Sequence, residues 1–465
     1  MFGFSFLFLG FEFPHPLPSF LYTLYNPVFI EESIVMSVDL KNEALEVRRL
    51  AKEHTTWFRE SLPLIASENL ISPLAREMLA TDLHNRYAEG LPGARYYQGN
   101  IFVDEIETKG MELARKLFGV DWADLRPPSG TMSNMAVLFA LVKPGETMMT
   151  PNVSDGAHIS SAKFGAVGLR GASAVTYPFD NETMNIDVDK ADKLIRETKP
   201  KLALFGMSVF LFPTPLKELR DALEETGCYV WYDAAHVLGL IAGGQFQDPL
   251  REGAEVMTGS THKTLPGPQR GILLANPRNE KMQNKLNYSV FPGVSSNHHL
   301  HTMAALTVTL AEHIEYGRDY AAQTVKNAQS LAEALYHHDM DVLCPDLGFT
   351  KSHTIAVDVR KNGGGTPIVE AMEKANIIAN KNLLPWDDVS LAHNPSGIRL
   401  GVQELTRIGM KEDAMQEVAG LLKNIIVDRE DPAAVKKKVK ALKEQYTTVH
   451  YCFNPQDGYE YKELV

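Results

Sequence analysis

In the stretch GSTHKTLPGP a single lysine, Lys263, stands between His262 and Thr264, framed by Gly259, Pro266, Gly267 and Pro268. Glycine and proline at that density disfavour helix and strand alike, so the segment reads as a turn with a fixed backbone. A solvated surface lysine needs no such mount, whereas a lysine that forms a bond does. Its amine condenses with aldehydes to give a Schiff base. The commonest biological aldehyde of this kind is pyridoxal phosphate, which also asks for a carboxylate at its pyridine nitrogen and a cradle for its phosphate.

Both partners have candidates. Asp233 in VWYDAAHVLGL closes an apolar run upstream of the lysine, and open α/β sheets place ligands at the C-terminal ends of their strands. An ionised Asp there would keep a pyridinium protonated. His236 follows closely and is placed to stack on the ring or meet the substrate. Taken alone, an Asp ending a strand is ordinarily a helix cap; its pairing with the lysine turn gives it weight. In PPSGTMSN, Ser129, Gly130 and Thr131 precede the apolar run MAVLFALV. Free N–H groups at a helix N-terminus, with two hydroxyls beside them, suit a phosphate, although the same residues also make a plain N-cap.

The elements that must position these residues alternate. KLALFGMSVF and CYVWYDAA read as buried strands, and PLKELRDALEETG between them as a helix from Pro215 to Gly227. That strand–helix–strand unit is the building block of a parallel sheet. VMTGSTHK and RGILLAN read as strands flanking the lysine turn. A long amphipathic stretch from His299 to His337 should bridge to a second domain, which holds the strand HTIAVDVR, the turn NGGGT and the helix DPAAVKKKVKALKEQY. KKKVK reads as a solvated helix face. The expected organisation is an N-terminal helical arm over 36–70, a large cofactor-binding domain over 71–312 and a small C-terminal domain over 313–465.

The 465 residues are 44% hydrophobic and carry a formal net charge of -12. That balance argues against generalised binding of nucleic acid or anionic membrane. Cys228, Cys344 and Cys452 are scattered, with neither metal spacing nor a disulfide framework, which suits a reducing cytoplasm and leaves no metal site to assign. Residues 1–35 are rich in aromatics and proline and hold no Lys or Arg. They lack the basic start of a secretory signal and the arginines of a transit peptide. The expectation is a non-native or disordered extension arising from an upstream start codon, with Met36 the true beginning; a genuine extension or weak membrane anchor is the alternative.

Five segments, LIASENLIS, RYAEGLPGARYYQG, DAAHVLGL, STHKTLPGP and SGIRLG, together resemble serine hydroxymethyltransferase, in the family's order, between residues 40 and 430 or so. The resemblance implies an α/β fold-type-I pyridoxal-phosphate transferase: a large domain with a mostly parallel sheet, a smaller C-terminal α+β domain, and a homodimer with shared active sites. It implies reversible interconversion of serine and glycine, with the one-carbon unit passed to tetrahydrofolate or a related tetrahydropterin. Lys263 matches the Schiff-base lysine, Asp233 the pyridinium partner and His236 the ring-stacking residue. Ser208, Ala235 and His158 match further cofactor contacts. Ser129, Gly130, Thr131 and His262 match the phosphate site, helped by Tyr87 of the other subunit. Arg399 matches the arginine that grips the substrate carboxylate, with Ser67 beside it. Glu89 matches the acid/base carboxylate, next to Tyr97. Tyr96, Val153, Ile159 and Asn382 match pterin contacts.

The chain also departs from the family pattern. FPGVSSNHH stands where the family usually has a Gly-Gly-Gln-Gly-Gly-Pro run after FPG, leaving Ser295, Ser296 and Asn297 as possible donors to the partner's phosphate. VQELTR follows SGIRLG, and PSGTMSN replaces the usual HSGSQAN type of cradle. These mark a divergent, archaeal-like branch. A pterin-independent aldolase or transaldolase on β-hydroxy amino acids such as threonine stays open as the alternative, because nearly the same residues serve retro-aldol cleavage.

Overall fold

The computed structural model describes residues 39–464, so the expectations for residues 1–35 lie outside the described residues. Chain contacts separate a short N-terminal unit, ending at Lys52, from a main unit that begins at Glu53. The described part of the first is helical and belongs to Leu40–Arg59, a helix with no buried residue.

The main unit is built on a seven-stranded sheet. Its strands are β1 (Trp122–Asp124), β2 (Thr147–Thr150), β3 (Ser173–Thr176), β4 (Leu202–Phe205), β5 (Tyr229–Asp233), β6 (Val256–Ser260) and β7 (Gly271–Ala275), in the order β1-β7-β6-β5-β4-β2-β3. Neighbours from β3 to β6 pair parallel, while β7 runs antiparallel to both β6 and β1. Every residue of β4, β6 and β7 is buried, as expected of strands covered on both faces. Helix Gly130–Leu141 is apolar along most of its length and is largely buried.

Two elements are shorter than the sequence pattern predicts. The KLALFGMSVF strand ends at Phe205, because Gly206 turns the chain with φ +121; a Cβ there would stand 2.2 Å from the Asp233 carbonyl. The helix predicted from Pro215 begins only at Arg220. Pro215 instead opens a run of turns, anchored where the Thr214 N–H donates to Gln247 Oε1 at 3.0 Å.

A second core gathers around a four-stranded antiparallel sheet, β8 (Asp341–Val342), β9 (Thr354–Asp358), β10 (Asn380–Asn382) and β11 (Gly397–Gly401), in the order β8-β9-β11-β10. The long helix Leu300–His337 serves both cores: Leu300 to Ala321 pack with the large sheet, and Ala328 to Leu335 with the small one. The expected division between residues 312 and 313 therefore falls inside one continuous helix. Leu62 and Leu64, expected in an N-terminal arm, belong to the second core, where Leu62–Pro63 pairs parallel with Ile377–Ile378.

The KKKVK face is solvated at its lysines, with Val439 buried beneath. One turn on, Lys443 is buried, its Nζ 3.7 Å from the centre of the Tyr459 ring, and the Tyr459 hydroxyl donates to Glu404 at 2.8 Å. Among the described residues, no helix is long and apolar enough to cross a membrane, and no group of three or more His, Cys, Asp or Glu is placed to hold a metal ion.

Candidate active site

The lysine turn is fastened from every side. Thr261 donates its N–H to the Arg270 carbonyl at 2.9 Å and its hydroxyl to Pro268 at 2.7 Å, and Gly267 N–H returns to the Thr261 carbonyl at 2.8 Å. The Thr264 hydroxyl donates to the His236 carbonyl at 2.8 Å and accepts from Gly239 N–H at 3.0 Å. Gly239 admits no side chain: a Cβ there would sit 2.2 Å from the Thr264 carbonyl oxygen. The Lys263 carbonyl accepts from Asn69 Nδ2 at 2.5 Å. Burial pushes the Lys263 amine down to about 8; Asp233 pulls the other way and Arg399 adds to the lowering.

Lys263 faces a cavity at the C-terminal ends of β4, β5 and β6. It is lined by Gly130, Thr131, Asn134, His158, Ser161, Gly206, Met207, Ser208, Asp233, Ala235, His236 and Ser260 as well as the lysine. Eight residues expected from the sequence thus meet there: Lys263, Asp233, His236, Ala235, His158, Ser208, Gly130 and Thr131. Ser129 stands at the rim as the helix N-cap, its hydroxyl accepting from Met132 N–H at 3.3 Å. The N–H groups of Gly130 and Thr131 open that helix and have no intrahelical acceptor. His158 Nδ1 accepts from Ser160 N–H at 3.2 Å. His236 is buried with Nδ1 unpartnered, and burial beside Lys263 and Arg399 holds its ring well below the ordinary histidine range.

Arg399 enters from β11. It is buried, its Nη1 donates to the Ser208 carbonyl at 2.8 Å and its Nε lies 3.3 Å from Asn380 Oδ1, its cross-strand neighbour. Among the described residues no carboxylate pairs with it. Burial alone pushes it down to about 10. A buried guanidinium with only neutral acceptors is costly unless an anion completes it. Asn382 lies two residues along β10 from Asn380, on the same face. Val153 and Ile159 flank His158 in the segment after β2, Ile159 exposed.

Ser67 and His262 line a second hollow of about 450 Å³, with Asn69, Gln269 and His301, and none of its lining residues is shared with the Lys263 cavity. His262 Nδ1 has no partner among the described residues, and burial pushes the ring down to about 4. A larger hollow of about 890 Å³, lined by Glu68, Arg76, Glu404, Tyr459 and others, continues from that second hollow through Glu68, Asn69 and Gln269. It is open and holds none of the lysine–carboxylate–helix arrangement, so the chemistry favours the smaller cavity.

Tyr87, Glu89, Tyr96 and Tyr97 do not line the Lys263 cavity within one chain. They sit around a hairpin, Gly90–Leu91 with Ala94–Arg95. Arg95 pins that hairpin by donating to the Ala88 and Gly90 carbonyls at 2.7 and 3.0 Å, on either side of Glu89. Its other nitrogens reach Asp104 at 2.8 Å and Glu107 at 2.6 Å. Burial works to raise the Glu107 carboxyl, but His298 and Arg95 together hold it at about 2. Asn297 clasps the same segment, accepting from Ala88 N–H and donating to the Arg86 carbonyl, each at 2.9 Å. The Ser295 hydroxyl is taken by the Val290 carbonyl at 2.8 Å. Two side chains expected as phosphate donors are therefore committed within their own chain. Tyr87, Tyr96 and Tyr97 are 51%, 73% and 46% exposed, the rings of Tyr87 and Tyr97 lying edge to face with centroids 5.1 Å apart.

Sequence reasoning missed Asn69, Asn134, His353 and Asn380. Asn134 had a signal, since it lies one helical turn after Gly130 and must share its face. His353 had none: its ring lies nearly parallel to that of His236 with centroids 5.8 Å apart, and its Nε2 reaches the Ala66 carbonyl at 3.0 Å.

Three features suit pyridoxal phosphate. A helix N-terminus opens at the cavity, a carboxylate and an amine, Asp233 and Lys263, both line it, and the buried His236 Nδ1 there has no partner among the described residues. The comparisons agree. The family model for serine hydroxymethyltransferase matches residues 40–422. A serine hydroxymethyltransferase of Picrophilus torridus is 56% identical over 91% of this chain and 97% of its own length. That of Thermoplasma volcanium is 54% identical over 91% and 99%, and that of Pyrococcus abyssi 52% over 88% and 96%. The chain belongs to the serine hydroxymethyltransferase family.

Proposed function

We propose that this protein interconverts serine and glycine, passing the hydroxymethyl carbon to tetrahydrofolate or a related tetrahydropterin, with pyridoxal phosphate bound at Lys263. The observation that carries the reading is Arg399, a buried cation without a carboxylate partner among the described residues, tied through the Ser208 carbonyl to the lysine cavity. When bound, the cofactor supplies an aldehyde for the lysine and a ring that takes up the electron pair released at the substrate α-carbon.

The protein's own residues do the rest. Asp233 would hold the proton on the ring nitrogen, and His236 and Ala235, which both line the cavity, would border the ring. Gly130 and Thr131 N–H groups, Ser129, Ser208, His158 and His262 complete the cofactor's surroundings. Arg399, with Ser67 nearby, grips the amino-acid carboxylate through two parallel hydrogen bonds. That grip would fix the orientation of the α-carbon in the site. Glu89 takes the proton from the serine hydroxyl as the carbon–carbon bond opens, with Tyr97 beside it. Tyr96, Val153, Ile159 and Asn382 line the pterin side.

Glu89 and Tyr87 are held on an exposed hairpin away from their own chain's cavity, which supports a homodimer in which each subunit completes the other's site. Three free, buried cysteines support residence in a reducing cytoplasm.

Arg399→Ala should retain the cofactor's visible absorption but lose serine and glycine binding by about 2–5 kcal/mol, the scale for breaking a buried charge pair. Titration of that absorption with glycine checks it, and unchanged affinity would make Arg399 structural. A second outcome follows from the lysine. Only the unprotonated amine attacks an aldehyde, so cofactor capture by the cofactor-free protein should speed up as pH rises through about 8 and then level off. Stopped-flow absorbance measures this. A rate that keeps climbing toward the ordinary lysine value of 10.5 would place Lys263 in solvent.

A further inference from the structure

A polar chain reaches Asp233 from behind the cavity. Trp231 Nε1 lies 2.8 Å from Thr258 Oγ1, Thr258 Oγ1 lies 2.7 Å from Asn134 Oδ1, and Asn134 Nδ2 lies 2.7 Å from Asp233 Oδ2. The fold brings them together for simple reasons. Trp231 and Asp233 are two apart on β5 and share a face, Thr258 is the register partner of Asp233 on β6, and helix Gly130–Leu141 lays Asn134 over them. Trp231, Thr258 and Asn134 are all buried, so no solvent competes for these groups.

The hydrogen bonds run in one direction. An indole N–H only donates. The Thr258 oxygen accepts from it, and the Thr258 hydroxyl donates its hydrogen to Asn134 Oδ1. Accepting that hydrogen orients the Asn134 amide, its oxygen toward Thr258 and its NH2 toward Asp233. The other Asp233 oxygen, Oδ1, accepts from Ala235 N–H at 2.9 Å. Both carboxylate oxygens thus face donors, which fixes the plane of the Asp233 carboxyl group.

We propose that Trp231, Thr258 and Asn134 are positioning residues, a one-way hydrogen-bond relay that keeps the Asp233 carboxyl aimed at the ring nitrogen of the bound cofactor. The proposal rests on the reading of Asp233 as the partner of that nitrogen. The relay starts at a group that cannot reverse, and the Thr258 hydroxyl hydrogen on Oδ1 favours the Asn134 orientation that turns its NH2 toward Asp233. Without the Thr258 hydroxyl, the amide is free to turn its oxygen toward Asp233, where two acceptors repel unless a proton comes between them.

The test is the 15N resonance of pyridoxal phosphate labelled at its ring nitrogen and bound to the intact protein, since that resonance reports directly whether the nitrogen carries a proton. The wild-type signal should be that of a protonated ring, and Asp233→Asn should move it to the unprotonated position. Thr258→Val and Asn134→Leu should move it part of the way, Trp231→Phe less far, and Thr258→Ser should restore it. Serine turnover in Thr258→Val should fall about tenfold with serine affinity unchanged, the upper factor expected for one lost neutral hydrogen bond. If Thr258→Val does not fold, Asn134→Leu and Trp231→Phe put the same question from either side. Wild-type signals from both Thr258→Val and Asn134→Leu, with Asp233→Asn shifted, would overturn the relay alone. Identical signals from wild type and Asp233→Asn would remove Asp233 from the ring nitrogen and overturn the reading beneath it.

Discussion

Lys263→Ala protein is expected to lose turnover to background and to lose the visible absorption of lysine-bound pyridoxal phosphate, while still holding the cofactor non-covalently. The separation follows from the construction of the site. The amine is one feature, and the helix N-terminus at Gly130 and the carboxylate of Asp233 are independent of it. No other lysine lines the cavity, so none should substitute. Borohydride reduction of the wild-type protein should fix the cofactor to the peptide that contains Lys263, and mass spectrometry of the digest reads the position. Label on another lysine, or a Lys263→Ala protein with its visible band intact, would contradict the assignment.

How much of this was legible in the sequence depends on how locally each feature is encoded. The lysine turn was readable because glycine and proline act on their own backbone, and the strands around it because both faces are apolar. The strand ends were not: β4 stops where the Gly206 backbone meets the Asp233 carbonyl, a contact between residues far apart in the chain. The residues gathered around Lys263 were legible chiefly through resemblance. Asp233 taken alone reads as a helix cap and Arg399 as half of a salt bridge, and only their convergence changes that. Asn69, His353 and Asn380 act through hydrogen bonds or ring contacts to residues far along the chain, which leave no periodicity to read. The division into domains was blurred for a physical reason too. A continuous helix costs nothing to share between two cores, so no composition change marks where Leu300–His337 passes from one to the other.

The second large effect concerns Glu89. A carboxylate that takes the proton of the substrate hydroxyl acts on chemistry more than on binding, so Glu89→Gln should bind serine and glycine normally. Its pterin-dependent serine turnover should fall by roughly 10²-fold or more, the usual scale for a positioned acid or base. Its location gives a sharper test. The hairpin that carries Glu89 is pinned by Arg95 and Asn297 outside its own chain's lysine cavity. If the side chain serves the cavity of a second copy, mixing Glu89→Gln protein with Lys263→Ala protein should restore activity. Each hybrid dimer then has one site with both residues intact and one with neither. Restored activity, with subunit exchange followed by mass, is the expected result. Exchange without any recovery would show that each chain works alone and would remove Glu89 from the shared site.

Transfer of a one-carbon unit from serine to a reduced pterin is tested most directly by the rate of glycine formation from serine by the purified protein with and without tetrahydrofolate or a related tetrahydropterin. The expected result is rapid conversion only when the pterin is present, with the one-carbon product forming in step with glycine. Glycine formation indifferent to every reduced pterin, accompanied by fast cleavage of threonine, would contradict it and make the protein an aldolase built on the same residues.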